Sequence, residues 1–293
     1  MAASSPSRTV TYLLLASLSI VWGLGFVAIR VADLELSPTS LALLRWLIAS
    51  VGFLAVLPFT KSKAPFERRD LPRLVVLALT NVAGYNLAVN YAEKSISSGL
   101  TSILVALGPV FMVVLSSFVL RERIGKRVVY ALMLAVLGSI LLSFADLNLN
   151  GSAISGSAEA ILGALFYAVF TVASKPLIQK YGALPVCIWA SVLGTAFLLP
   201  FASSEFLHQV SSLSLEGWSA LLYLSIISSV VGYLVYYTMI GRGAISTLSV
   251  QLYLIPIVSV IAGVLILHEQ VTVLMLIGGA ATLAAVGLAR TNR

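Results

Sequence analysis

Leu107-Gly108-Pro109-Val110 opens a run that closes on Leu120-Arg121-Glu122, and Leu254-Ile255-Pro256-Ile257 opens one that closes on Leu267-His268-Glu269. The two prolines stand 147 positions apart, and so do the two glutamates. A looser correspondence sets Trp22 and Arg30 opposite Tyr167 and Lys175, 145 positions on. A fixed internal period of half a chain is the mark of duplication. Between the matched residues both copies are apolar, over stretches close to the ~20 residues that cross ~30 Å of hydrocarbon.

Working outward, ten such stretches cover about residues 10–31, 38–58, 71–91, 97–120, 127–145, 156–176, 183–202, 216–238, 244–267 and 272–290. Only 10% of the 293 residues are charged and the mean hydropathy is +1.03. A soluble domain carries about a quarter. The first run is too long for a signal-peptide core and is taken as a retained span. The expectation is an all-α polytopic membrane protein of ten transmembrane helices, in two five-helix repeats at 1–150 and 151–293. Five is odd, so the second copy enters the membrane from the opposite side, giving an inverted repeat.

The net charge of +7 comes from Lys and Arg clustered between the spans. That distribution fits no nucleic-acid face and matches the cytoplasmic excess of basic residues in membrane proteins. With both termini cytoplasmic, fifteen Lys and Arg fall inside and only Lys94 falls in an outer loop. This predicts an integral protein of the bacterial inner membrane in that orientation. Asp33, Glu35, Glu93, Asp146 and Glu205 then lie in the outer loops. Arg30 and Arg45 sit near the outer ends of their spans. Each either snorkels to the interface or meets an acid or a substrate carboxylate.

Several chemistries are disfavoured. Cys187 is the single cysteine, so no disulfide or zinc spacing exists, and no metal site or cofactor is expected. No G-x-x-x-x-G-K-[ST] segment is present to cradle ATP. Two scattered histidines argue against a membrane-embedded enzyme, and the lack of a filter-like loop argues against a channel. The span centres hold no acid or histidine, which for a carrier predicts facilitated transport or weakly coupled exchange rather than proton coupling.

A solute path is sought among intramembrane polar and aromatic residues. Pro109 and Pro256 fall about mid-span, where each removes a backbone donor and crowds a carbonyl, as a hinge or a packing kink would. Tyr85 and Asn86 are mid-span in the third stretch. In the ninth, Ser246, Ser249, Tyr253 and Pro256 form one helical stripe, matched by Gly99, Ser102, Ala106 and Pro109 in the fourth; Gln251 lies on another face. Tyr167 and Thr171 share a face of the sixth stretch, Tyr233 and Tyr237 of the eighth, and Trp22 and Phe26 of the first. The substrate-binding candidates are therefore Trp22, Tyr85, Asn86, Ser102, Tyr167, Thr171, Tyr233, Tyr237, Ser249, Gln251 and Tyr253. Aromatic rings with polar handles suit an amphipathic solute, and close helix packing is the competing role for every one of them.

The ordered set Trp22-Gly23 with Arg30, Ala42-Leu43-Leu44-Arg45-Trp46, Leu107-Gly108-Pro109 through Arg121-Glu122-Arg123, Leu254-Ile255-Pro256 and Leu267-His268-Glu269 resembles the drug/metabolite transporter superfamily. The likeness is to its ten-helix EamA-type exporters over about residues 11–290, most of all to the YddG-type amino-acid exporters. It implies export of amino acids or similar small metabolites through a central cavity, by a monomer or homodimer. Hydrophobic or cationic drugs or nucleosides are the alternative cargo. Arg121 and His268 stand where many relatives place glycine before the glutamate, which leaves the local turn geometry open.

Overall fold

The computed structural model describes residues 8–59, 64–120, 126–144, 151–241 and 245–290, all of them in helices or the turns that join them. The first two spans are Arg8–Ala32 and Pro38–Ala55. Ser37 caps the second, its hydroxyl accepting from the Ser40 amide, with proline at the first helical position where no amide is missed. The third joins Leu71–Ala78, Leu79–Gly84 and Tyr85–Ser95; the fourth joins Ser98–Val105 and Gly108–Leu120. The fifth is Lys126–Ser143, the sixth Gly151–Tyr181 and the seventh Ala183–Leu198. The eighth joins Leu215–Leu222, Tyr223–Val231 and Gly232–Gly241, and Ile245–Leu267 and Val273–Arg290 complete the set. Seven of these helical stretches are long and apolar enough to cross a membrane, with shorter apolar helices at 129–142, 254–267 and 273–285. The chain is an all-helical polytopic membrane protein. A short helix, Ser204–Ser211, between the seventh and eighth spans was not among the sequence expectations.

Packing repeats as the sequence does. The first span lies along the ninth, the sixth along the fourth, the second along the seventh and the fifth along the tenth. Ser50 and Thr195, 145 positions apart, meet hydroxyl to hydroxyl at 2.9 Å. Gly138 and Gly278 let the fifth and tenth spans touch backbone to side: a Cβ added to either would stand 3.0 Å from the other's carbonyl oxygen. Small residues are what allow such approach between membrane helices.

The third and eighth spans each widen into π-type turns, at Leu79–Gly84 and Tyr223–Val231. Each widened turn ends against an aromatic ring from the other copy. Gly84 leaves room for Phe166, and Gly232 leaves room for Trp22. Periodicity alone shows no such turn, because one extra residue per turn shifts the helix face without changing its hydropathy.

The prolines behave differently from one another. The fourth span breaks ahead of Pro109, at Ala106 and Leu107, whereas the ninth continues as helix through Pro256. The expected symmetric break is thus present in one copy only. Glu269 also has a definite task. Its carboxylate accepts from the Ser98 amide at 2.8 Å and the Gly99 amide at 3.3 Å, capping the fourth span. A carboxylate there suits the positive end of a helix. Arg121 and Glu122, its first-copy counterparts, lie outside the described residues.

His268 precedes that glutamate with φ of +56°, the left-handed region that favours glycine. His268→Gly is expected to stabilise the protein by about 1 kcal/mol, the strain of a side chain in this region exceeding the entropy glycine adds to the unfolded chain. A thermal melt in detergent checks it, and a fall in midpoint would contradict it.

Candidate functional site

A small cavity of about 40 Å³ lies where the first, second, third, fourth, sixth, eighth and ninth spans converge. Of the sequence candidates, Trp22, Tyr85, Ser102, Tyr167 and Tyr233 line it, and so does Pro256. Phe26 is there as well. The rings form a continuous shell. Trp22 packs on Tyr233 at 5.4 Å and on Tyr236 at 5.1 Å between centroids, and Tyr85 on Tyr167 at 6.3 Å. Tilted and edge-on geometries prevail, as ring quadrupoles prefer.

The widened turns shape this shell. Trp22 Nε1–H donates to the Ser228 carbonyl at 3.1 Å, within the π-type segment of the eighth span. In the third span, Asn86 Nδ2–H donates to the carbonyls of Asn81 and Val82 at 2.9 and 3.0 Å. A π-type turn leaves carbonyls off the regular ladder, and these donors take them up. Asn86 therefore braces the turn and does not line the cavity. Asn86→Ala is expected to destabilise the protein by about 2 kcal/mol, for two hydrogen bonds lost from a buried place. Substrate affinity should change less than twofold. Melting curves beside binding isotherms check this; a large affinity loss with an unchanged melt would return Asn86 to the path.

Thr171 and Tyr237 are also set back. Thr171 Oγ1 lies 3.0 Å from the Tyr236 hydroxyl and donates to the Tyr167 carbonyl, while Tyr236 and Tyr167 meet hydroxyl to hydroxyl at 2.7 Å. The Tyr237 hydroxyl accepts from Asn81 Nδ2 at 3.0 Å. These residues hold the aromatic shell from behind. Pro109 does not line the cavity. The side chains of Ser249, Gln251 and Tyr253 lie outside the described residues.

Sequence reasoning undervalued one residue. Arg45 does not snorkel: it is buried and lines the cavity. Its Nε–H donates to Ser229 Oγ at 3.0 Å, and Nη2 lies 3.5 Å from Ser228 Oγ. Among the described residues no carboxylate stands within ion-pair distance of it. Position in the span suggested an interfacial charge; only the fold shows that the second span turns this face toward the eighth. Glu93, expected in an outer loop, is likewise buried, in the helix Tyr85–Ser95.

The two copies are tied together on both sides of this cavity. On one side Lys180 Nζ meets Asp70 Oδ2 and Glu67 Oε1, both at 2.6 Å, and the Tyr181 hydroxyl donates to the same Asp70 oxygen. That Lys180 hydrogen bond holds the Glu67 carboxyl below its ordinary range. On the other side, Glu35 accepts from the Ser214 hydroxyl and amide, and Gln209 Oε1 accepts from the Ser37 amide.

Comparison with known proteins agrees with this architecture. The model of the EamA-like transporter family matches twice, over residues 9–144 and 154–291. An uncharacterized transporter of Archaeoglobus fulgidus is 32% identical, over 94% of this chain and 96% of its own. A probable terminal-alkyne amino-acid exporter of Streptantibioticus cattleyicolor is 28% identical, over 92% and 89%. A probable amino-acid metabolite efflux pump of Salmonella typhimurium is 26% identical, over 90% and 89%. One solved crystal structure covers 97% of both chains with a TM-score of 0.64 at 20% identity, which shows a common fold.

Proposed function

The chain belongs to the EamA-like transporter family, and we propose that it exports amino acids or closely similar carboxylate metabolites. It is a transporter of small molecules across a membrane and not an enzyme. The observation that carries the finer reading is Arg45, a buried guanidinium facing an aromatic cavity with hydroxyl partners and, among the described residues, no carboxylate within ion-pair distance. An arginine held this way presents its fork to a planar anion, and a carboxylate is the natural fit. Tyr85, Tyr167, Tyr233 and Trp22 complete a wall that accepts a side chain or, by cation–π contact, an ammonium group. The relatives named as amino-acid exporters support the same cargo.

The transport cycle follows from the two copies. Five spans per copy make the repeats inverted, and rocking one against the other would open the cavity to each side in turn. The Lys180–Asp70–Glu67 cluster and the Glu35–Ser214 contact would then be made and broken alternately. The excess of basic residues between the spans supports an orientation with both termini, and the Lys180 cluster, on the cytoplasmic side.

Exchange of radiolabelled amino acids by purified protein in liposomes tests the proposal, with their amides and one cationic dye for comparison. Saturable exchange of amino acids, with the amides poor competitors, is the expected result. Dye flux without amino-acid flux would reject the carboxylate reading and move the cargo to cationic drugs.

A further inference from the structure

Glycine in membrane spans commonly marks close approach between helices. A Cβ added at Gly23 would stand 2.6 Å from the Val258 Cβ, and one at Gly108 would stand 2.6 Å from the Tyr167 ring. Gly25, two residues further along the first span, is different. A Cβ there would meet Ser228 Oγ at 3.4 Å, an ordinary contact. Among the described residues, and apart from its own helix backbone and chain neighbours, no other atom comes within 4 Å of that position. The space is not taken up by packing. It belongs to the central cavity, which Gly25, Arg45 and Ser228 line together.

Ser228 fixes where that space lies relative to the charge. Its hydroxyl is 3.5 Å from Arg45 Nη2 and 3.4 Å from the position a Gly25 Cβ would take. No atom of Arg45 comes within 4 Å of that position. One layer of atoms therefore fits between the guanidinium and the Gly25 backbone, and a carboxylate oxygen at about 2.9 Å from Nη2 would fill it. The eighth span is held against closing this gap. Trp22 Nε1 donates to the Ser228 carbonyl at 3.1 Å, and Ser229 Oγ accepts from Arg45 Nε at 3.0 Å. We propose that Gly25 is the floor of the carboxylate seat, its missing side chain keeping open the place beside Arg45 that the substrate carboxylate takes. The cavity of about 40 Å³ has room for about three waters, so one methyl group would occupy a large share of it. The carboxylate is the part all amino acids have in common. Gly25 thus sets affinity for the whole class and not the choice among side chains. The proposal rests on the carboxylate-export reading for its cargo.

The test is Gly25→Ala in the full chain, read by exchange of glycine, leucine and phenylalanine in liposomes and by a thermal melt in detergent. The melting midpoint should hold or rise, because alanine forms helix better and meets no clash. The concentration for half-maximal exchange should rise on the order of tenfold for all three solutes alike, with little change in maximal rate. An unchanged concentration would overturn the proposal. So would a loss that grows with side-chain size, or one accompanied by a fall in the melt. If the wild type exchanges no amino acid, the export reading fails, and labelling decides the seat separately. Gly25→Cys, combined with Cys187→Ala to remove the native thiol, is treated with two methanethiosulfonates of similar size, one carrying a sulfonate and one an ammonium. Reaction about tenfold faster with the sulfonate reagent, a preference lost when Arg45→Gln is added, supports an anion seat at Gly25. Equal rates, or no reaction with either, overturn it.

Discussion

Arg45→Gln is expected to lower affinity for amino acids by about 30-fold to 100-fold while their amides are affected less than threefold. The magnitude follows from a charge-assisted, desolvated contact, which contributes about 2–3 kcal/mol, each 1.4 kcal/mol being tenfold. Glutamine keeps a donor that can reach Ser228 or Ser229, so the second and eighth spans retain part of their tie. Arg45→Lys keeps the charge but loses the fork, and should fall between wild type and Arg45→Gln. Competition of unlabelled acids and amides against a labelled amino acid reads all three proteins. Equal losses for acids and amides in Arg45→Gln would mean that Arg45 holds the helices and does not meet the solute.

That residue also marks how far sequence carries. Hydrophobic length, basic clusters and the 147-residue period were enough for ten spans and two copies, since each is a property of the chain read along its axis. Rotation about the axis is another matter. Tyr85 and Asn86 are neighbours in the third span, yet one lines the cavity and the other turns back on the Asn81 and Val82 carbonyls. The π-type segments set that rotation, and no hydropathy pattern encodes them. Arg45 and Glu93 were misplaced for a related reason. Nearness to a span end does not report exposure: Arg45 and Glu93 both stand near outer span ends and both are buried. The rings of Trp22, Tyr167 and Tyr233 are large enough to reach the bundle centre, where they line the cavity.

Trp22 and Gly232 offer the sharpest test of how the first span meets the widened turn of the eighth. A Cβ added at Gly232 would lie 2.6 Å from Trp22 Nε1, far inside contact distance. The indole cannot retreat freely, because Tyr233 and Tyr236 pack on it and its N–H is committed to the Ser228 carbonyl. Gly232→Ala is therefore expected to destabilise the protein by about 2 kcal/mol, overpacking outweighing the gain in helix propensity. Substrate exchange should fall at least tenfold, since the displaced ring lines the cavity. Trp22→Phe removes the clashing nitrogen together with its hydrogen bond, and alone should cost about 1 kcal/mol. Combined, the two changes should cost less than Gly232→Ala alone, a coupling of 1 kcal/mol or more between residues 210 positions apart in sequence. Melting curves of the four proteins in one detergent supply the cycle. Additive effects would mean that Gly232 leaves no room the indole needs, and that Trp22 is placed in the cavity by some other contact.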